Sequence, residues 1–360
     1  MRFSVENLRA ADAAARRLNA ALARTSLLKV VLPKDVEGHR ERFIQEMGQG
    51  RPRDPVFDYP DVDRDRCRPL RQIADEYGSR TDAVNRLIAE EALRHLATYR
   101  ACTSRDSERI TWATSQENGA PSEALLAEAV RLLEARPTSD ATGRGREFSA
   151  EQVLSAVERT LAAAGLTDWS VRVTPAMAAR MSVVAGDRLV RIRSDIRLTE
   201  GELVGLITHE IGTHVYRWVN ACRIAGLLGV RLSGATATEE GLAVWNELRA
   251  TGDVALDPRF ALRVIAVSVA LRGSFVDVVA ALLPYTSPEA AFDAAVRVKR
   301  GLIDTAEPGG FIKDHVYMAG HHMVRCHLAR NPDDFDLLMV TKWPLAHLDG
   351  LRAADPVSLI

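Results

Sequence analysis

THEIGTHVYR, residues 208–217, is the stretch on which the reading of this chain turns. It sits in a helical pattern that begins near Thr199, with Leu203, Leu206, Ile207, Ile211 and Val215 as its apolar stripe. In the HExxH motif of zinc peptidases the two histidines are four residues apart. That places them about 40° apart around a helix, so both reach one metal. Here His209 and His214 are five apart, which gives about 140° on an ideal helix, and imidazoles at that angle do not converge. The spacing therefore predicts a local departure. A single-turn π-bulge absorbs one extra residue and returns His214 to the side of His209, with Gly212 between them to permit it.

A catalytic zinc takes three protein ligands and keeps one position open. The third ligand is expected from the following segment, TATEEGLAVWNE, residues 236–247. Glu239 and Glu240 sit there at a predicted helix start, where paired carboxylates also suit the helix dipole. Spacing alone gives Glu240 only a slight edge over Glu239. Gly241 and Ala243 are small enough to let this helix approach the metal helix closely.

Upstream of the histidines, residues 168–194 change character. DWSVRVTP, MSVVAG and DRLVRIRS are short, β-branched and bounded by Gly, Pro or Asp, and read as two or three strands. Residues 188–193 are expected either as an internal strand or as an edge that binds peptide by strand addition. The N-terminal part reads as helices over 5–24, 35–47, 82–104 and 122–135, with an extended Pro-, Asp- and Arg-rich loop at 51–65. RPTSDATGRGRE, residues 136–147, is the linker candidate, and Ser149 with Gln152 has capping-box spacing just after it. The expected organisation is an N-terminal helical region over 1–135, the linker at 136–147 and a catalytic domain over 148–360. Helices, a small sheet, then helices make the fold class α+β.

With a formal net charge of -1 the composition gives no bulk reason to bind nucleic acid or anionic membrane. The first residues read as an amphipathic helix rather than a signal peptide, and no apolar run reaches the length of a membrane span. Cys67, Cys102, Cys222 and Cys326 are scattered without a CxxC pair, which fits buried free thiols and a reducing cytoplasm. HHMVRCH, residues 321–327, has metal-like spacing but no accompanying carboxylate, and is expected to be helix packing and surface.

Three separated segments in order, HEIGTHVYR (209–217), EEGLAVWNE (239–247) and GGFIKDHVYMAG (309–320), resemble the family of microtubule-associated tyrosine carboxypeptidases and bacterial QEGLA-motif proteins. LPKDVEGHRERFIQ (32–45) and PVFDYP (55–60) extend the resemblance to the N-terminal region, so that it covers about residues 17 to 330. Glu239 stands where the family motif has Gln. The resemblance implies a mostly helical, zincin-like catalytic core with a small mixed sheet before the metal-binding helix. It implies a zinc metallopeptidase with His209, His214 and Glu240 as ligands and Glu210 as the base. It implies carboxypeptidase action on the C-terminus of a peptide or protein. No basic microtubule-binding extension is visible, so tubulin is not carried over as substrate.

An exopeptidase must bind a free α-carboxylate, and a cation does that best. Arg217, one turn after His214, Lys313 in the matched KDHVY stretch, Arg297 and Arg300 are the candidates. Tyr317 is the candidate donor to the oxyanion, and Asp314 either orients a ligand histidine or caps a helix. Two other readings stand beside the peptidase. Two histidines and a carboxylate also form the facial triad of non-haem iron enzymes, which a strand placement of His209 would favour. A non-catalytic regulator could keep the same zinc, with Glu210 turned away from it.

Overall fold

The three β-branched segments form one sheet in the computed structural model, which describes residues 3–80, 82–135, 147–175, 177, 179–253 and 256–359. The strands are β1 (Ser170–Thr174), β2 (Met181–Val184) and β3 (Leu189–Arg193), in the order β1-β3-β2. β1 runs parallel to β3 and β2 antiparallel to it, so the sheet is mixed. Val190 pairs with Val171 on one side and Val183 on the other. Strand β3 is therefore central. Both its edges are used, and it cannot take an added peptide strand; the free edges belong to β1 and β2.

Period-2 alternation gives β3 one buried face, Val190 and Ile192. These meet Val153, Val157 and Leu161 from helix α1 (Ala150–Ala163), together with Leu203, Leu206, Ile211 and Val215 from the segment that carries the histidines. Each fully buried aliphatic side chain contributes about 1.5–3 kcal/mol, so this core fixes the histidine-bearing helix against the sheet. The capping box expected at Ser149 and Gln152 is present.

The chain divides into two compact units that interleave along the sequence. One comprises Met1–Ala20, Thr138–Leu256 and Gly320–Ile360; the other comprises Ala21–Pro137 and Asp257–Ala319. A sequential division into 1–135 and 148–360 does not follow this packing. Within the second unit, Phe275 and Phe292 lie 5.3 and 5.4 Å from Phe43 in ring-centroid distance, so a late segment completes the core of the early helices. The linker expected at 136–147 lies, apart from Glu147, outside the described residues. Helices Val36–Gly48, Ala83–Ser104 and Glu123–Glu134 lie where the periodicity puts them, whereas the long helix expected over 5–24 breaks at Ala11. Helices Arg68–Gly78 and Ser107–Asn118 were not expected. Of the four free cysteines only Cys102 is buried; Cys222 and Cys326 are exposed. Among the described residues no helix is long and apolar enough to cross a membrane.

Candidate metal centre

Thr199 caps helix α2 (Glu200–His209) in a reciprocal box with Glu202. After His209 the backbone widens into one π turn, Glu210–Val215, and helix α3 (Tyr216–Ile224) resumes beyond it. The departure required by the five-residue spacing is thus present. Gly212 is not its steric cause, because a β-carbon there would lie an ordinary 3.6 Å from the Thr208 methyl. The turn is held instead by the Thr213 hydroxyl, which donates to the Thr208 carbonyl at 3.1 Å, and by Asn246, which donates to that hydroxyl at 2.9 Å.

Helix α4 (Ala235–Thr251) supplies the carboxylates. It starts at Ala235, so Glu239 and Glu240 stand in its second turn rather than at its start. Gly241 does not serve the contact with the histidine-bearing helix. A β-carbon on it would run into the backbone of Gly320, on helix α5 (Val316–Arg330). The close approach to the histidine-bearing helix is made at Gly205, whose β-carbon would lie 3.1 Å from Glu247 Cγ.

His209, His214 and Glu240 present ligand atoms that all lie within 4.8 Å of one another. Glu240 Oε2 is 3.6 Å from His209 Nε2 and 3.8 Å from His214 Nε2. The other ring nitrogens are occupied. His209 Nδ1 donates to Glu247 Oε2 at 3.1 Å, and His214 Nδ1 donates to Glu239 Oε1 at 2.9 Å. A carboxylate on each Nδ1 fixes the tautomer and leaves each Nε2 as the lone-pair donor, as metal-binding histidines require. Among the described residues this is the one such cluster, and HHMVRCH forms none: it lies along α5, with His327 bonded to Asp334 at 2.6 Å.

Charge points the same way. Among the described residues Arg217 and Lys342 pair with Glu239, while Glu210, Glu240 and Glu247 gather around the two imidazoles, an acidic surrounding that suits a divalent cation. Burial disfavours a charged His209, but Glu240 and Glu247 outweigh it and keep its pKa well above the usual value. Burial also pushes the Glu210 carboxyl up, against the pull of His214 and His209. Burial works against ionised Glu239 too, yet Lys342, Arg217 and His214 hold it well below the ordinary carboxylate range. Two imidazoles, a carboxylate and their fixed tautomers fit zinc.

Arg217 is placed differently from its expected role. It is fully buried, with Nε donating to the Leu338 carbonyl at 2.8 Å and Nη1 to Glu239 at 3.1 Å. It orients Glu239 and does not present itself to a substrate carboxylate. The remaining candidates belong to the second unit. There Arg297 Nε donates to Asp314 Oδ2 at 2.6 Å, Lys313 lies 3.0 Å and Arg300 3.7 Å from Oδ1. Asp314 therefore gathers cations, and among the described residues it bonds to no histidine. Tyr317 stacks on Phe260 at 5.4 Å, with Arg263 at 4.3 Å from its ring. Arg263 Nη1 and Arg300 Nη2 are buried without hydrogen-bond partners, so cations outnumber carboxylates around Asp314.

Three participants were not singled out from sequence. Glu247 follows Glu240 by seven residues, two turns along one helix face, and that spacing was a usable signal. Lys342 and Arg263 had none, because their partners are distant in sequence.

The chain is similar to known proteins. The family described as "Microtubule-associated tyrosine carboxypeptidase" matches residues 41–356. "Microtubule-associated tyrosine carboxypeptidase 1" of Mus musculus is 37% identical over 142 residues, which are 38% of this chain and 30% of that protein. The Homo sapiens protein of the same name is 38% identical over 142 residues, with the same shares. The match thus spans less than a third of those relatives' length. The family match, however, takes in the helices that carry His209, His214 and Glu240, and the chain belongs to the microtubule-associated tyrosine carboxypeptidase family.

Proposed function

We propose that this protein is a zinc-dependent peptidase with a zincin-like core that removes residues from the C-terminus of a peptide or protein. The observation that carries the reading is the convergence of His209, His214 and Glu240 on one point, with both Nδ1 atoms already held by carboxylates. His209 Nε2, His214 Nε2 and Glu240 would hold the ion. A zinc there supplies Lewis-acid polarisation of the scissile carbonyl and makes water easier to deprotonate. Glu210 is the proton carrier. It is buried beside His209, and its carboxyl interacts with both histidines and with Glu240. A carboxyl shifted upward by burial is suited to take a proton from the attacking water and return it to the leaving amine.

The names of the relatives support the carboxypeptidase part of the proposal. A free C-terminal carboxylate calls for a cation, and Arg297, Arg300 and Lys313, gathered with Arg263 around Asp314 in the second unit, are the candidates for it. The helical setting of His209 and His214 favours zinc over the non-haem iron alternative, whose ligands usually sit on strands. The test is mass spectrometry of a C-terminal peptide library incubated with zinc-loaded protein, beside Glu210→Gln. Loss of C-terminal residues that is absent in the variant is expected. Internal cuts would remove the exopeptidase claim, and stoichiometric zinc without cleavage would favour a regulator.

A further inference from the structure

The stretch Leu338–Leu345 contains none of the proposed ligands, yet it is stitched to α3, which continues the π turn that carries His214, and to α4, which carries Glu240. Its Leu338 carbonyl accepts from Arg217 Nε at 2.8 Å, and its Met339 carbonyl accepts from Asn220 Nδ2 at 3.2 Å, both on α3. At its far end Leu345 N donates to Thr238 Oγ1 on α4 at 3.1 Å. Between these points Lys342 N donates to the Leu228 carbonyl at 2.8 Å, and the fully buried Trp343 donates its indole N–H to the Leu227 carbonyl at 3.1 Å. The backbone on either side of the Lys342 side chain is thereby fixed.

Lys342 Nζ lies 2.8 Å from Glu239 Oε1, the same oxygen that accepts from His214 Nδ1. The other oxygen, Oε2, takes Arg217. A carboxylate that is 5% exposed is costly to keep charged, and with Arg217 alone it could turn about that one contact and leave the imidazole. The two cations grip both oxygens and set the plane of the carboxylate. We infer that Lys342 is a positioning residue of the metal centre, acting through Glu239 to hold the His214 imidazole in ligand orientation. The inference rests on the zinc reading above. Outer-sphere partners of this kind govern metal affinity by about 10- to 100-fold.

The experiment is a thermodynamic cycle in zinc affinity, measured by competition with a chromogenic chelator, on the full chain with folding checked by circular dichroism. Lys342→Met is expected to weaken zinc binding by about 10- to 100-fold, and Lys342→Arg to retain most of it. In a Glu239→Gln background, where no charged carboxylate needs gripping, adding Lys342→Met should change affinity by no more than about twofold. An equal loss in both backgrounds would show a merely structural lysine and overturn the inference, as would tight zinc binding by Lys342→Met alone. If Lys342→Met does not fold, Lys342→Gln carries the same cycle. Absence of zinc binding by the unaltered protein would overturn the zinc reading itself, and this inference with it.

Discussion

Asn246 and Thr213 are joined across two helices: the Asn246 amide donates to the Thr213 hydroxyl at 2.9 Å, and that hydroxyl donates on to the Thr208 carbonyl. The second bond reaches back five residues, the π spacing itself, so a side chain reinforces the backbone widening that brings the histidines together. Thr213→Val keeps the shape and removes both bonds in a fully buried place. We expect a loss of about 1–3 kcal/mol in urea unfolding and weaker zinc binding, with Thr213→Ser close to the original protein. Unchanged zinc affinity in the valine variant would show that the turn does not depend on this bridge.

Glu247 holds His209 as Glu239 holds His214, but among the described residues no Lys or Arg lies within salt-bridge distance of it. Glu247→Ala should reduce zinc affinity by about 10- to 100-fold through loss of the fixed tautomer. Isothermal titration with zinc checks this. Equal affinity would mean that the Nδ1 partner is dispensable.

The contact of α4 with α5 leaves no room for a β-carbon. One placed on Gly241 would overlap the Gly320 backbone and lie 2.7 Å from His321 N, and one on Gly320 would overlap the Ala237 carbonyl. Neither obstacle is a flexible side chain. Gly241→Ala and Gly320→Ala should each cost about 1–3 kcal/mol or more and lower the thermal midpoint. A midpoint unchanged in both variants would contradict this packing.

Stability should fall in mild acid for a reason separate from the metal. Burial, with His322 and Arg325 adding to it, pushes the His321 imidazole down to about 4. The folded protein keeps it neutral, whereas the unfolded chain protonates it near its ordinary value. The contribution is therefore full above about pH 6.5 and is lost as pH falls from there to about 4, at most about 3 kcal/mol. Urea unfolding at pH 7 and pH 4.5 should show a smaller acid loss for His321→Gln than for the original protein. Parallel losses would sink the assignment.

The features legible in the sequence are those set by local spacing. A separation of five positions between His209 and His214 demanded a widened turn, Ser149 with Gln152 announced a helix start, and β-branched runs announced the strands. What was hidden depends on long-range order. The three strands gave no sign that the last would lie between the first two. Arg217 looked available for a ligand because nothing near it in sequence reveals its burial against Leu338. Gly241 marked a close helix contact, but the residue it meets lies 79 positions away. Likewise, Phe275 and Phe292 could not be assigned to the early helices by periodicity, which reports a buried face but not its partner.

The π turn at Glu210–Val215 also bears on how such a site tolerates change in chain length. Its extra residue is absorbed within one turn, so the inward face runs on in phase, from Leu203 and Leu206 before it to Ala221 and Ile224 after it. Removing a single residue there, Gly212 being the least encumbered, would leave an uninterrupted α-helix with its histidines four apart. The two spacings of the motif are thus neighbours separated by one codon, with the rest of the helix left in register on either side of the step.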